Sequence, residues 1–157
     1  MANAANRLTK LSIVAGGSYA QREAWITTTL QNLRSDSSES HHRYGVLLEG
    51  LPTGSMSLQA SSHLKLERIA PGCFCCIGQI AMRVTLNRLL RQQLNHLFIA
   101  MNDVEHLSAL RASLSSPAYA SFLQHENEII LLAKVQPFPC RNYSYGSNLN
   151  LLPKTDQ

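Results

Sequence analysis

Short runs of hydrophobic residues alternate along this chain with longer segments in which hydrophobic residues recur every three or four positions. A run of four to eight hydrophobic residues that ends at a turn residue is typical of a buried strand. Five such runs predict strands at residues 10–17, 44–50, 62–69, 96–101 and 128–135. In the third run, Leu64 and Leu66 alternate with polar residues, which indicates a more exposed strand.

The segments between these runs carry the helical pattern. Residues 18–34 predict a helix that begins with a capping box, because Ser18 and Gln21 have the required spacing. Three further helices are predicted: one that ends near residue 93, one over residues 104–114, and a short one that begins at residue 117. Strands that alternate with helices predict a parallel sheet with both faces covered. We therefore expect a three-layer α/β domain with a mainly parallel sheet of about five strands and a P-loop-NTPase-like topology.

Length and composition are those of one folded domain. The chain has 157 residues, of which 45% are hydrophobic and 15% are charged, so it can bury a single core and does not have the composition of a disordered chain. We expect a single domain over residues 1–157. Its core should lie at about residues 10–135, and the proline- and asparagine-rich residues 136–157 should form an irregular tail.

Charge and hydropathy exclude several classes of partner. The net charge is only +4, and the 14 basic residues are dispersed, so neither nucleic acid nor an acidic membrane surface is expected as a partner. No hydrophobic run approaches the roughly 18 residues that a transmembrane helix needs. The first ten residues lack the hydrophobic core of a signal peptide, so a cytoplasmic location is expected.

The glycine pair after the first predicted strand lies where a phosphate loop would be. Such a loop needs G-x-x-x-x-G-K-[ST], because glycine lets backbone amides approach phosphate while the lysine and the hydroxyl contact phosphate and Mg²⁺. Counted from Gly16, these last three positions hold Gln21, Arg22 and Glu23. We interpret the following residues as a degenerate phosphate loop: Gly16, Gly17, Gln21, Arg22 and Glu23. Productive nucleotide hydrolysis is not expected from this loop.

Three of the four cysteines lie within four positions of the segment APGCFCCIGQI: Cys73, Cys75 and Cys76. Thiolates bind Zn²⁺ and similar ions, but a tetrahedral structural site needs four ligands. A complete site would take its fourth ligand from water, from a second chain, or from one of these side chains: His41, His42, Glu49 and His63. Two other interpretations stay open: the three small thiols can pack in a core, or a Cys73–Cys76 or Cys73–Cys75 disulfide can form under oxidation.

Around this motif the segment LERIAPGCFCCIGQIAMRVTLNRLL resembles the CobW-type metallochaperone GTPases, relatives of the nickel-chaperone GTPases. The family signature GC[IVL]CC is matched by Gly72 and the three cysteines, with Phe74 in place of the usual aliphatic residue. The order of elements also fits over roughly residues 10–135, and Glu49 occupies the place of an acidic residue in the switch segment of the family. Ala100 stands near the position where the family has an acidic residue at the end of a strand.

The resemblance implies a shortened family member that has a degenerate phosphate loop and keeps the metal motif. We therefore expect a protein of metal homeostasis that binds Zn²⁺ or a similar divalent ion and lacks GTP and Mg²⁺. The metal ligands would be Cys73, Cys75 and Cys76. Two alternatives are kept: a non-enzymatic pseudo-GTPase that acts as an interaction module, and residual GTP binding. A protein partner or a homodimer is compatible with each of these functions.

Overall fold

Five strands pair in parallel to form one sheet whose order is β3-β2-β4-β1-β5. The computed structural model describes residues 8–36, 42–52, 54, 58–72 and 79–132. The strands are β1 (Thr9–Gly16), β2 (Tyr44–Glu49), β3 (Leu64–Ile69), β4 (His96–Met101) and β5 (Leu123–Leu131). The helices are α1 (Tyr19–Asp36), α2 (Gln79–Leu90), α3 (Leu107–Leu114), which follows a 3-10 turn, and α4 (Pro117–Ala120).

Helices cover both faces of this sheet, so the predicted three-layer α/β architecture is confirmed. On one face, α1 packs on the sheet through Ile26 and Leu30, and Trp25 contacts Phe98 edge to face. The other face is covered by α2, α3 and α4. Its core contains these buried side chains from the helices: Met82, Leu86, Leu89, Leu107, Leu110, Leu114 and Tyr119. Strands β1, β2 and β4 are buried along almost their whole length, as expected for a sheet covered on two sides.

The helix boundaries follow from local chemistry. α1 begins with the predicted capping box, in which the Ser18 amide donates to Gln21 Oε1 at 2.8 Å and the Gln21 amide donates to Ser18 Oγ at 3.2 Å. α2 ends at Leu90, slightly before the predicted end, and Gln93 has a φ of 53° that no helix tolerates. No helix among the described residues is long and apolar enough to cross a membrane.

The last strand differs from the prediction. β5 begins at Leu123 rather than at residue 128. Residues 124–127 are polar and exposed, because β5 lies at the edge of the sheet and a bulge opposite Leu11 and Ser12 interrupts its pairing with β1. A pattern based on hydrophobic runs therefore finds only the second half of this strand. Residues 133–135 of the predicted strand and the predicted tail lie outside the described residues.

Candidate functional site

The loops that follow β1, β2, β3 and β4 meet at the carboxyl edge of the sheet, where a buried arginine joins three of them. Arg22 comes from the first turn of α1 and is 1% exposed. Its Nη1 donates to the carbonyl oxygens of Gly16 at 3.1 Å and Gly17 at 2.8 Å, and to Asn102 Oδ1 at 3.3 Å. Its Nη2 donates to the carbonyl oxygen of Glu49 at 3.1 Å. The guanidinium therefore points back into the protein and binds carbonyl oxygens.

The charge of Arg22 is kept in spite of this burial. Desolvation lowers the pKa of its guanidinium, and the nearby Glu49 carboxylate and Tyr19 act in the opposite direction. An arginine remains protonated in proteins, so the site contains a fixed cation next to a buried carboxylate. The planar guanidinium of arginine suits this position because its two terminal nitrogens donate hydrogen bonds in different directions. The ammonium group of a lysine would reach these acceptors less well.

Glu49, the last residue of β2, is the second buried charged group at this edge. It is 2% exposed. Oε1 accepts from the amide of Gly72 and Oε2 accepts from the amide of Asn102, each at 2.6 Å. These two amides belong to the loops after β3 and β4, so one carboxylate joins both loops. We call this arrangement the Glu49 bridge.

The glycine turn is shaped by its neighbours in the fold. Gly16 and Gly17 have φ values of 78° and 64°, which favour glycine. A Cβ at Gly16 would lie 2.7 Å from the carbonyl oxygen of Leu131, and a Cβ at Gly17 would lie 2.9 Å from Cβ of Leu131. The close approach of β5 therefore explains both glycines without a phosphate. The turn is also short, because α1 begins at Tyr19.

Gln21 and Glu23, two further members of the predicted degenerate loop, have partners inside the protein. Gln21 binds the Ser18 amide, one of the amides that an anion at this helix terminus would need. Glu23 accepts from the amide of Leu58 at 3.2 Å and from Arg68 Nη2 at 3.3 Å. The Glu23 carboxylate is thus directed to Arg68, and the two side chains form a largely buried ion pair.

The three cysteines of the predicted metal site lie outside the described residues, as does Cys140. The described chain stops at Gly72 and resumes at Gln79, so the residue directly before Cys73 is held by the Glu49 bridge. Residues 8–36, 42–52, 54, 58–72 and 79–132 contain no group of three or more histidine, cysteine or acidic side chains placed to bind a metal. These ranges include no cysteine, so the metal hypothesis stays a prediction.

The structure separates the candidates for a fourth metal ligand. His42 and His63 precede β2 and β3 and so lie at the amino edge of the sheet, about 20 Å from the carboxyl edge at the rise of a strand. Gly72, the last described residue before the cysteines, lies at the carboxyl edge. Both histidines therefore lie at the edge opposite Gly72. Glu49 lies at the same edge as Gly72, and His41 is outside the described residues.

Comparison with known proteins identifies no relative. The chain matches no family model, no curated protein and no solved structure. The resemblance to CobW-type GTPases therefore remains a prediction, carried by Gly72, Cys73, Cys75 and Cys76.

Sequence reasoning missed the burial of Arg22 and the part played by Asn102. One signal was present for Arg22: it lies at i−4 and i−8 from the core residues Ile26 and Leu30, on the buried face of α1. Asn102 carried no comparable signal, because its contribution depends on β2 and β4 lying side by side.

A second buried polar cluster at the amino edge was also missed. His96 is 3% exposed, stacks on Phe98 with 4.4 Å between ring centroids, and shares a hydrogen bond of 2.9 Å between Nε2 and Ser12 Oγ. Burial lowers the pKa of His96 to about 4, while Glu126 acts to raise it and Lys10 acts to lower it. Ser12 is fully buried, so its hydroxyl is closed to any substrate and the cluster is a structural one.

Proposed function

We propose that this chain is a binding protein of metal homeostasis that takes up Zn²⁺ or a similar divalent ion without using a nucleotide. Cys73, Cys75 and Cys76 are the proposed ligands. The observation that supports this most directly is the hydrogen bond between Glu49 and Gly72, because it fixes the residue next to Cys73 at the carboxyl edge of the sheet. Ligands in open parallel sheets bind at this edge.

The chemistry of the donor set fits a borderline-soft metal. Three thiolates suit Zn²⁺ better than Mg²⁺ or Ca²⁺, which prefer oxygen ligands. Three protein ligands also leave one position for water, for a side chain or for a second chain, which suits an exchangeable site. A metal that must be passed on, to a protein partner or across a homodimer, needs such an open position.

Independence from nucleotide is supported by the glycine turn. The Ser18 amide is bonded to Gln21, the Gln21 amide is bonded to Ser18, and the Arg22 guanidinium is directed to carbonyl oxygens. A phosphate that used these three donors would first have to displace their present bonds. We therefore propose that the chain does not bind GTP with Mg²⁺ and is not a GTPase. Reduced thiols at a metal site also favour the cytoplasm as its location.

Elemental analysis of the purified, reduced protein after addition of Zn²⁺ and removal of the excess tests this function. We expect about one Zn²⁺ per chain or per pair of chains, and a large loss of binding in Cys75→Ser. Cys140→Ser is the matched control, since it removes the one cysteine outside the motif. Absence of stoichiometric metal in the reduced parent protein would exclude the proposal, and so would unchanged binding in Cys75→Ser.

A non-enzymatic pseudo-GTPase that acts as an interaction module is the second candidate. It is favoured by the same turn, which keeps the strand, the glycines and the helix while its polar groups bind each other. In such a protein the three cysteines would be packing residues and would resist a thiol reagent in the native state. Cysteines of a metal site would react once a chelator had removed the metal. Titration with a fluorescent GTP analogue and Mg²⁺ tests residual nucleotide binding, and micromolar affinity would contradict our interpretation of Gln21 and Arg22.

A further inference from the structure

A groove on the face of the sheet that carries α1 has no part in the proposed metal binding. It lies between the second half of α1 and the segment that leads into β3, and its volume is about 340 Å³. Small-molecule sites have volumes of roughly 300–1,000 Å³, so this groove has room for a small ligand. We call it the α1 groove.

One wall of the α1 groove is a single stripe of the helix. Its members are three or four positions apart in sequence, which places them on one side of α1: Thr27, Leu30, Gln31 and Arg34. Leu30 is buried, whereas Gln31 and Arg34 are exposed. The stripe therefore changes from apolar at the floor of the groove to polar at its rim.

The opposite wall is the segment before β3, and hydrogen bonds hold it in place. The amide of Leu58 donates to Glu23 Oε1 at 3.2 Å, and its carbonyl oxygen accepts from Arg68 Nη2 at 3.0 Å. Ser61 Oγ accepts from the amide of Leu64 at 3.1 Å, and the Ser61 amide donates to the carbonyl oxygen of Leu64 at 2.9 Å. Since these contacts are made without a ligand, the groove is preformed, and binding does not have to order it.

The floor of the α1 groove is apolar, and its rim carries a positive charge. The floor is formed by three leucines that are each at most 4% exposed: Leu30, Leu58 and Leu64. Among the lining residues that the structure describes, Arg34 is the charged one. Its guanidinium lies 5.8 Å from the centre of the Tyr44 ring, a contact that orients it. An arginine has five N–H donors in a planar fork, so it can bind a carboxylate in addition to its partners within the protein.

We propose that the α1 groove binds a small carboxylic acid, whose apolar body lies on the leucine floor and whose carboxylate pairs with Arg34. One guanidinium matches the charge and the two oxygens of a carboxylate, whereas it would compensate only part of the charge of a phosphate dianion. Gln31 and Gln59 also line the groove, and their carboxamides have no hydrogen-bond partner within the described ranges, so they can bind polar atoms of the ligand. The inference does not rest on the proposed metal binding.

The first test titrates the ¹⁵N-labelled parent protein with octanoate and follows the backbone amides by NMR. We expect saturable binding with a Kd below about 1 mM, and the largest shifts at residues 27–34 and 58–64. Octanol, which has the same chain without the charge, should bind about 10-fold more weakly, because it cannot form charge-assisted hydrogen bonds to Arg34. Three results would each overturn the inference, and none of them depends on a variant: no saturable binding of octanoate, shifts that lie outside the groove, or equal affinity for octanol.

Arg34→Gln tests the pairing of charges. We expect about 10-fold weaker binding of octanoate and unchanged binding of octanol. The matched control is Arg91→Gln, which makes the same change at an exposed position just after α2, on the opposite face of the sheet, and should bind octanoate like the parent. Equal affinity of Arg34→Gln and the parent for octanoate would overturn the inference.

Gln31→Trp tests the location by filling the groove. Binding of both octanoate and octanol should be lost, because the indole would occupy the space above the leucine floor. Asn32→Trp places the same side chain at the next position, which is exposed and lies outside the stripe, and should bind both ligands like the parent. Circular dichroism confirms that the variants are folded, and octanoate binding that persists in folded Gln31→Trp would contradict the proposed site.

Discussion

At the scale of single residues, the charged groups at the carboxyl edge bind the protein itself. Arg22 and Glu49 are both nearly inaccessible to solvent, and each is surrounded by backbone groups of the opposite polarity. A cation that binds carbonyl oxygens is not available to neutralise phosphate, even though its charge is kept. Retention of a positive charge at the lysine position is therefore no sign of retained nucleotide binding.

Replacement of Arg22 should be costly. Arg22→Met would leave the carbonyl oxygens of Gly16 and Gly17 without this donor and Glu49 without a nearby cation, so we expect about 3–5 kcal/mol less stability. Arg22→Lys keeps the charge but reaches fewer acceptors, so a loss of about 1–3 kcal/mol is expected. Urea unfolding of both variants gives these differences. Arg83→Met on the exposed face of α2 is the control and should stay within about 0.5 kcal/mol of the parent.

His96 should make the stability depend on pH. Its pKa is about 4 in the folded protein, lowered by burial, against 6.5 for an unperturbed histidine. Between these two pH values the histidine binds a proton in the unfolded chain but not in the folded chain. The free energy of unfolding therefore has its full value above about pH 6.5 and falls by up to about 3 kcal/mol as the pH drops to 4. His96→Gln should flatten the urea midpoints across this range, whereas His125→Gln, an exposed change on β5, should keep the slope of the parent. An unchanged slope in His96→Gln would contradict this assignment.

At the scale of elements, the turn between β1 and α1 is defined by how closely β5 approaches it. Gly16→Ala would place a Cβ 2.7 Å from a carbonyl oxygen of Leu131 at a φ of 78°, so both a contact and a backbone conformation become unfavourable. We expect a loss of about 2–4 kcal/mol in urea unfolding, of which about 1–2 kcal/mol comes from the positive φ. Gly54→Ala isolates that second part, since Gly54 has a φ of 103° and its Cβ would meet nothing within 4 Å. Equal losses in the two variants would show that the approach of β5 is not what requires glycine.

The elements also show how far the sequence could predict this fold. Strands β1, β2 and β4 are buried on both faces along almost their whole length, so their sequences are predominantly hydrophobic and were predicted correctly. β5 has polar residues over much of its length because it is an edge strand with a bulge, and its start was missed. The contacts of Glu49 and Asn102 could not be predicted, since they depend on the order of the strands, which hydrophobic periodicity does not encode.

At the scale of the whole molecule, the parallel sheet brings together residues that are distant in sequence. Because all five strands run in one direction, the loops after β1, β2, β3 and β4 meet at one edge, and the chain enters the cysteine segment from there. His42 and His63 lie at the other edge for the same reason. The fold therefore places Glu49 and Gly72 at one edge and these two histidines at the other, a distinction that the residue types alone do not make.

The proposed metal binding by the cysteine segment predicts that Zn²⁺ stabilises the whole domain. A ligand that binds only the folded state at 100 times its Kd adds about 2.7 kcal/mol, or a rise in Tm of about 5–10 °C for a chain of this size, and less where the unfolded cysteines also bind metal. We expect such a rise with Zn²⁺ in the parent and in Cys140→Ser, and none in the variant with serine at positions 73, 75 and 76. GTP with Mg²⁺ should leave the Tm of all three proteins unchanged, because the Ser18 and Gln21 amides and the Arg22 guanidinium at the glycine turn are already bonded. A rise with Zn²⁺ that persists in the triple variant would move the metal site away from the cysteines. A rise with GTP would contradict the proposal that the chain does not bind this nucleotide.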